Sequence, residues 1–396
     1  MIRNSISCNA IRLTAVVGLL GSPDAQAQTF TASPAPEWSA LFDRTEGWTG
    51  ADGIYSIPLS GVDDIDSATP RTKTAWIFGD TFIGSVNPQT DERLPGTTLV
   101  NNTVAQLTGP TPDATQLRFY WGRDAQRNPR AVFLPETPTA QPGDWYWVKD
   151  GFAVNGISRL FAYRFTRDNS QPIGYRRSGV CLIKVPAGSR PPFPDQVQTD
   201  TPLFVPATET TSDLVFGGGV LVNTVAAGVP DPDGYVYVYG TREDAFNKKL
   251  VIARVFWTNA DNVNLYRVWN GSGWVTDIAA AAPIGDRVSN EMSVTPIGNG
   301  KYLLVFQLDA IGRNIAVRIA DSPIGPFFGA PTAVYECPEP AAIPGTYVYN
   351  AKAHPHLSAV DEILVSYNVN TTRGFTEHFA NADIYRPRFI KIHVTW

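Results

Sequence analysis

The 396-residue sequence predicts an all-β fold, in which a four-stranded unit repeats radially five times and a strand from the N-terminal end closes the last unit. Three observations lead there. Apolar residues seldom recur at i, i+3, i+4 and i+7 for more than a turn, so long amphipathic helices are not expected. Short β-branched and aromatic runs bounded by Gly, Pro, Asn and Asp recur instead, the clearest being TAWIFGD, RLFAYRF, YVYVYGT, YLLVFQL and ILVSYNV. Each of these five has a strand-like run before it and another after it, the signature of one supersecondary unit used repeatedly.

Taken in order, the leading strands are DGIYSIPL, DGFAVNG, GGVLVNTV, EMSVTPIG and AKAHPHLS, and the third strands are NTVAQLT, GVCLIKV, LVIARVF, NIAVRIA and RFIKIHV. Fourth strands follow the first four units at LRFYWG, PLFVP, YRVWNG and TAVYEC, whereas the fifth unit ends at Trp396 without one. The run EWSALFD (Glu37 to Asp43) lies before the first unit and is expected to supply the missing strand by pairing near Arg388 to Val394. Radial repetition closed in this way is a five-bladed β-propeller, which leaves only short protected sheet edges. The expected organisation is a signal peptide over 1–27 and one propeller over 28–396.

The signal peptide is read from Arg3 and Arg12, the short apolar run Leu13 to Leu20 and the small-residue ending Ala25-Gln26-Ala27, with cleavage before Gln28. The protein is therefore expected to be secreted or periplasmic. No later run reaches the roughly 18 apolar residues that a membrane helix needs. Net charge −5, with 17% charged residues and no basic block, argues against a nucleic-acid partner, and a monomer is expected. Cys8 would leave with the signal; Cys181 and Cys337 could form one disulfide or none.

In a propeller the first strand of each blade lines the central channel, and the antiparallel second strand returns to the face where the first one begins. Aligning the first strands places Asp52, Asp150, Gly218, Glu291 and Lys352 at equivalent points, with Asp80 of FGDTFIG arriving from a second-strand end. Converging carboxylates suit glycoside hydrolysis, where one acid protonates the leaving oxygen and another attacks or activates water. Asp52 is read as nucleophile or general base, Glu291 as general acid desolvated beside Met292, and Asp150 and Asp80 as groups that tune these pKa values and grip hydroxyls. Trp48, Trp145 and Trp147 offer flat faces for sugar rings, and Arg242, Asn290, Lys352, His354 and His356 offer hydrogen bonds.

Plainer readings stand beside these. Asp52 and Asp150 each precede glycine and could be turn residues, Asp80 could cap a strand, and any tryptophan could belong to a blade core. His354 and His356, two apart on an expected strand, could pair on a metal, but Pro355 between them and the lack of nearby ligands speak against zinc. The FGGGV glycines have no helix after them and so do not form a phosphate loop; they are expected to let backbone approach the channel closely.

GADGIYSIPL, WIFGDTFIG, NNTVA, YNAKAHPHLS, LVSYNVN and YRPRFI together resemble a bacterial five-bladed propeller family catalogued as a domain of unknown function, of the 4185 type, whose characterised relatives include endo-acting D-arabinan hydrolases. More distantly the chain is similar to arabinanase, xylosidase and levansucrase-like propellers. The resemblance implies a secreted carbohydrate-active enzyme with its essential acids at Asp52, Asp80, Asp150 and Glu291. It implies no required cofactor and leaves open a calcium ion in the channel beside His354. In the better-known propeller hydrolases the acids come from blades one, two and three, whereas here blade three offers glycines and the glutamate lies on blade four. The rival reading is a non-catalytic sugar-binding propeller, which would need the aromatics but not the acids; a lyase is disfavoured because no distinctive Tyr/His/Arg arrangement for proton abstraction stands out.

Overall fold

The computed structural model describes residues 29–244 and 247–395. The expected signal peptide therefore lies outside the described residues. Among those described, no helix is long and apolar enough to cross a membrane.

Five antiparallel sheets surround a channel. Blade 1 runs Glu46–Pro58, Lys73–Ser85, Thr103–Thr108 and Leu117–Tyr120; blade 2 runs Trp145–Val154, Ile157–Arg167, Tyr175–Val185 and Val197–Thr201. Blade 3 is Leu214–Asn223, Tyr235–Arg242, Lys249–Phe256 and Arg267–Trp269, extended by Phe204–Val205 on the inside and Trp274–Val275 on the outside. Blade 4 is Met292–Pro296, Tyr302–Gln307, Asn314–Ala320 and Thr332–Glu336. Blade 5 is Thr346–Ala353, Glu362–Thr371 and Arg388–Thr395, completed by Thr29–Pro34. The first strands pack side by side around the axis, and apolar clusters fill the wedges between neighbouring blades.

Closure differs in detail from the expectation. The strand that completes blade 5 is Thr29–Pro34, in register from Thr29 opposite Thr395 to Pro34 opposite Ile390, and it precedes the Glu37 to Asp43 segment. That segment is helical instead: Pro36–Ser39 makes one α-turn and Ala40–Phe42 a 3-10 turn. The reason is local. Pro36 fits the first helical position, where its missing N–H costs nothing, and Trp38, Leu41 and Phe42 fall at i, i+3 and i+4 on one face. This face is buried where blade 5 meets blade 1, with Phe42 stacked on Phe389 at 5.4 Å and meeting Trp76 edge-on at 5.5 Å.

PLFVP is also reassigned. Val197–Thr201 is the fourth strand of blade 2, and Phe204–Val205 pairs with Leu214–Val215 in blade 3. Cys181 and Cys337 are both free and buried, on blades 2 and 4.

Candidate active site

Four of the five first strands break their pairing partway along their length. Blade 1 shifts register between Ala51 and Gly53 and again between Gly53 and Tyr55, blade 3 between Phe216 and Gly219, and blade 5 between Tyr349 and Lys352. In blade 2 the pairing jumps from Gly151 opposite Leu160 to Val148 opposite Ala162, so Lys149 and Asp150 share one residue of the partner strand. Bulges bend a strand and re-aim its side chains, and they gather near functional sites. Ile54 and Asn350 have φ of 64° and 61° there, a conformation that is costly for a β-branched residue such as Ile54.

The bulges divide the channel into two ends. At the end where first strands begin lies a cavity of about 250 Å³, walled by Asp52, Asp80, Trp147, Lys149, Asn290 and a ring of tyrosines, Tyr163, Tyr175, Tyr347, Tyr349 and Tyr385. At the opposite end lies a narrow space of about 30 Å³ faced by Asp150, Asp63, Tyr55 and Lys352. Glu291 lies between the two, 1% exposed.

Asp52 and Asp80 come from adjacent strands of blade 1. Two N–H donors to Asp80 go to one oxygen: Asn101 Nδ2 and Trp147 Nε1 donate to Oδ1 at 3.1 and 2.8 Å, and among the described residues no hydrogen bond occupies Oδ2. Burial, and then the charge of Asp52, push the Asp80 carboxyl up to about 7, against the opposing pull of Trp147, Asn101 and Lys149. Asp52 accepts from Tyr349 Oη at 2.9 Å and also from Tyr385. Burial, then the charge of Glu291, raise its pKa; Lys149 and the two phenols draw it down. Gly79 has no side chain because it cannot carry one: a Cβ there would run into Asp52 Oδ1.

Glu291 behaves in the opposite way. Lys149 Nζ and Lys352 Nζ approach its two oxygens at 2.7 and 2.8 Å. Burial alone would raise its pKa, yet the two ammonium groups overcome burial and hold it below the ordinary glutamate value. A carboxyl favoured in its ionised form is poorly suited to donate a proton, which speaks against Glu291 in the expected role of general acid. Its visible effect is to hold Lys149, which faces the cavity.

The remaining expected site residues divide. Trp147 and Asn290 line the cavity. Asp150 does not: its oxygens accept from Gly151 N at 2.8 Å and Val220 N at 2.7 Å at the far end, where burial raises it to about 8. Lys352 faces that end too, bonded to Asn350 O at 2.9 Å as well as to Glu291. Trp48 is 1% exposed, stacked on Phe119 at 4.8 Å in the core between blades, and has no face free for a sugar. Trp145 backs the cavity wall, meeting Phe165 and Tyr175 at 5.9 and 5.5 Å. Arg242 is engaged by Asp244 through Nε and Nη2 at 3.0 and 2.8 Å.

The histidines are structural. Their strand ends at Ala353 and Pro355–Leu357 is a 3-10 turn, so the shared strand face expected for His354 and His356 does not exist. His354 Nδ1 and Nε2 are each 2.8 Å from a hydroxyl, of Ser56 and Ser366, and His356 joins Asp63 at 2.7 Å to Thr74 at 2.9 Å. Both ring nitrogens of His354 are thus engaged by hydroxyls.

The sequence reading missed Lys149, the tyrosines, Asn101 and Arg177. A signal for Lys149 existed: it lies two residues from Trp147 and so shares its strand face. The tyrosines come from two blades and a 3-10 turn, and no spacing along the chain collects them.

None of the curated proteins matches the chain. Among solved structures, a candidate hydrolase from Bacteroides ovatus aligns over 94% of this chain and 93% of its own at 21% identity, with a TM-score of 0.68, and shares the propeller fold. A family 117 glycoside hydrolase from Zobellia galactanivorans (11% identity, 93% and 90% covered, TM-score 0.45) and an α-L-arabinofuranosidase from Clostridium thermocellum (16%, 75% and 78%, TM-score 0.40) are similar too loosely to carry chemistry across. Whereas the sequence phrases resemble the 4185 type, the family model that matches spans residues 36–396, nearly the whole chain, and is a different one: the chain belongs to the family described as a domain of unknown function (DUF5005).

Proposed function

We propose that this protein is a secreted or periplasmic glycoside hydrolase that cleaves a polysaccharide, with Asp80 as general acid and Asp52 as general base or nucleophile. The observation that carries the reading is the pair itself: two neighbouring half-buried carboxylates at one wall of an aromatic cavity, with Asp80 raised to about 7 and one of its oxygens free of hydrogen bonds among the described residues.

The chemistry follows from the placement of protons. The two carboxylates repel, so one proton on the pair is favoured. Asp80 can carry it on Oδ2 while Oδ1 keeps both donors, and Asp52 keeps its phenolic donors by staying ionised. Asp80 then protonates the glycosidic oxygen as the bond to the anomeric carbon breaks. Asp52 either attacks that carbon or takes a proton from the water that does. Lys149, held by Glu291, favours the ionised form of Asp52. Trp147 and the tyrosines present flat faces and hydroxyls of the kind that sugar rings bind.

Furanose-containing polymers head the candidates because of the resemblance to endo-acting D-arabinan hydrolases. The test is a panel of polysaccharides including D-arabinan and L-arabinan, assayed for released reducing ends. Release that disappears in Asp52→Asn supports the proposal. Binding of a polymer without release by the wild type would leave a sugar-binding propeller instead.

A further inference from the structure

The cavity does not end at its aromatic wall. Arg177, on the third strand of blade 2, faces the cavity and also an open groove of about 660 Å³ running between blades 2 and 3. Pockets for drug-sized ligands measure about 300–1,000 Å³. The cavity falls short of that range and suits one sugar ring, whereas the groove falls within it.

The groove is built and held by its own bonds. Its wall, residues 206–213, is fixed by Thr208 N to Thr211 O at 2.9 Å, by Thr208 Oγ1 to Thr211 Oγ1 at 2.7 Å, and by Ala207 N to Asp213 Oδ1 at 2.6 Å. Asp213 Oδ2 in turn accepts from Arg177 Nη1 at 3.4 Å, tying the wall to the residue shared with the cavity. Thr210 and Ser212 on this wall, with Gln171 and Arg176 facing the groove, offer hydroxyl, amide and guanidinium groups, and no aromatic ring among the described residues lines it. Such a surface recognises a hydroxyl-bearing chain by hydrogen bonds rather than by stacking. Walls already ordered also lower the entropic cost of binding a flexible chain.

We infer that the groove between blades 2 and 3 is an extended oligosaccharide site, which takes the sugar units next to the one in the cavity, so that the protein acts on chains rather than on isolated units. This rests on the glycosidase reading of the cavity. Affinity is the readout that separates the two. Ladders of arabino- and xylo-oligosaccharides of two to six units are titrated calorimetrically into Asp80→Asn, and into the same variant with Thr210→Trp or Gln171→Trp, which fill the groove from opposite walls. The expected result is that Kd for the accepted ladder falls about tenfold from two to four units, and that either tryptophan removes most of that gain. Equal affinity for two and four units, or a gain that survives both tryptophans, overturns the inference even if the wild type releases reducing ends. A length-dependent gain lost on filling the groove, with no reducing ends released by the wild type from any polymer, upholds the groove and removes the glycosidase reading. Binding of neither ladder overturns the groove, and together with no reducing ends released by the wild type from any polymer it removes the glycosidase reading as well.

Discussion

Asp80, half-buried, and Glu291, fully buried, are carboxylates of one channel, yet their proton affinities move in opposite directions. Burial penalises the charge of each. Asp80 meets that penalty with two neutral N–H donors and an anionic neighbour, Asp52, and so rises to about 7. Glu291 meets it with two lysines and so falls. A desolvated carboxyl is therefore not an acid by virtue of its desolvation; the charge of what it touches decides. The practical division is that one end of the channel favours a proton on Asp80 next to open space, and its centre holds Glu291 between two lysines.

The largest expected effects fall on the carboxylate pair. Asp52→Asn should lower turnover of polysaccharide and of any accepted aryl glycoside alike by 10³-fold or more, roughly the scale of lost nucleophilic or base catalysis, as read by reducing-end and chromophore assays. Glu291→Gln should act on folding instead. It leaves Lys149 and Lys352 buried without their counter-ion, and breaking such a cluster costs about 3–5 kcal/mol, measurable by denaturant titration. Wild-type stability in this variant would mean that the ion cluster does not hold the centre of the channel together.

How much of this could be read from the chain can be judged on the same residues. Period-two strands and their turn residues gave the blades, and the position of Asp52 and Asp80 at the channel follows from first-strand starts and second-strand ends meeting on one face. The bulges then defeated the alignment. Asp150 is the counterpart of Asp52 by its Asp-Gly phrase, but the extra residue in blade 2 turns Lys149 into the cavity and sends Asp150 to the other end. Glu291 has two lysine partners, 142 and 61 residues away in sequence, and local context beside Met292 suggested desolvation while hiding the charges that outweigh it. Ring closure was misjudged by one short segment, because Pro36 makes EWSALFD a helical turn and leaves the pairing to Thr29–Pro34.

Smaller effects sharpen the contrast through pH. Activity should fall about tenfold per unit as pH rises past about 7, because the proton on Asp80 is then lost. Stability should follow the same group with a definite sign. Its folded-state pKa is raised from 3.8, so the folded form binds the extra proton; that contribution is complete below about 4 and gone above about 7. Asp80→Asn should accordingly raise Tm by a few degrees at pH 8 and not at pH 4, even though it removes activity. The smallest expected change is that of Trp147→Phe, which deletes a donor that favours the ionised form of Asp80; the alkaline limb of the pH–rate profile should shift upward by less than about one unit.

The central claim is that the proton for the leaving oxygen comes from Asp80 and not from Glu291. Leaving-group dependence tests it most directly. Turnover of polysaccharide and of an aryl glycoside that needs little protonation should be compared in Asp80→Asn and Glu291→Gln, each relative to the wild type. The account predicts that Asp80→Asn loses about 10²–10⁴-fold on polysaccharide and far less on the aryl substrate, while Glu291→Gln loses the same factor on both. Selective rescue of Glu291→Gln by the aryl leaving group, with equal losses for Asp80→Asn, would contradict it and return the acid to the glutamate.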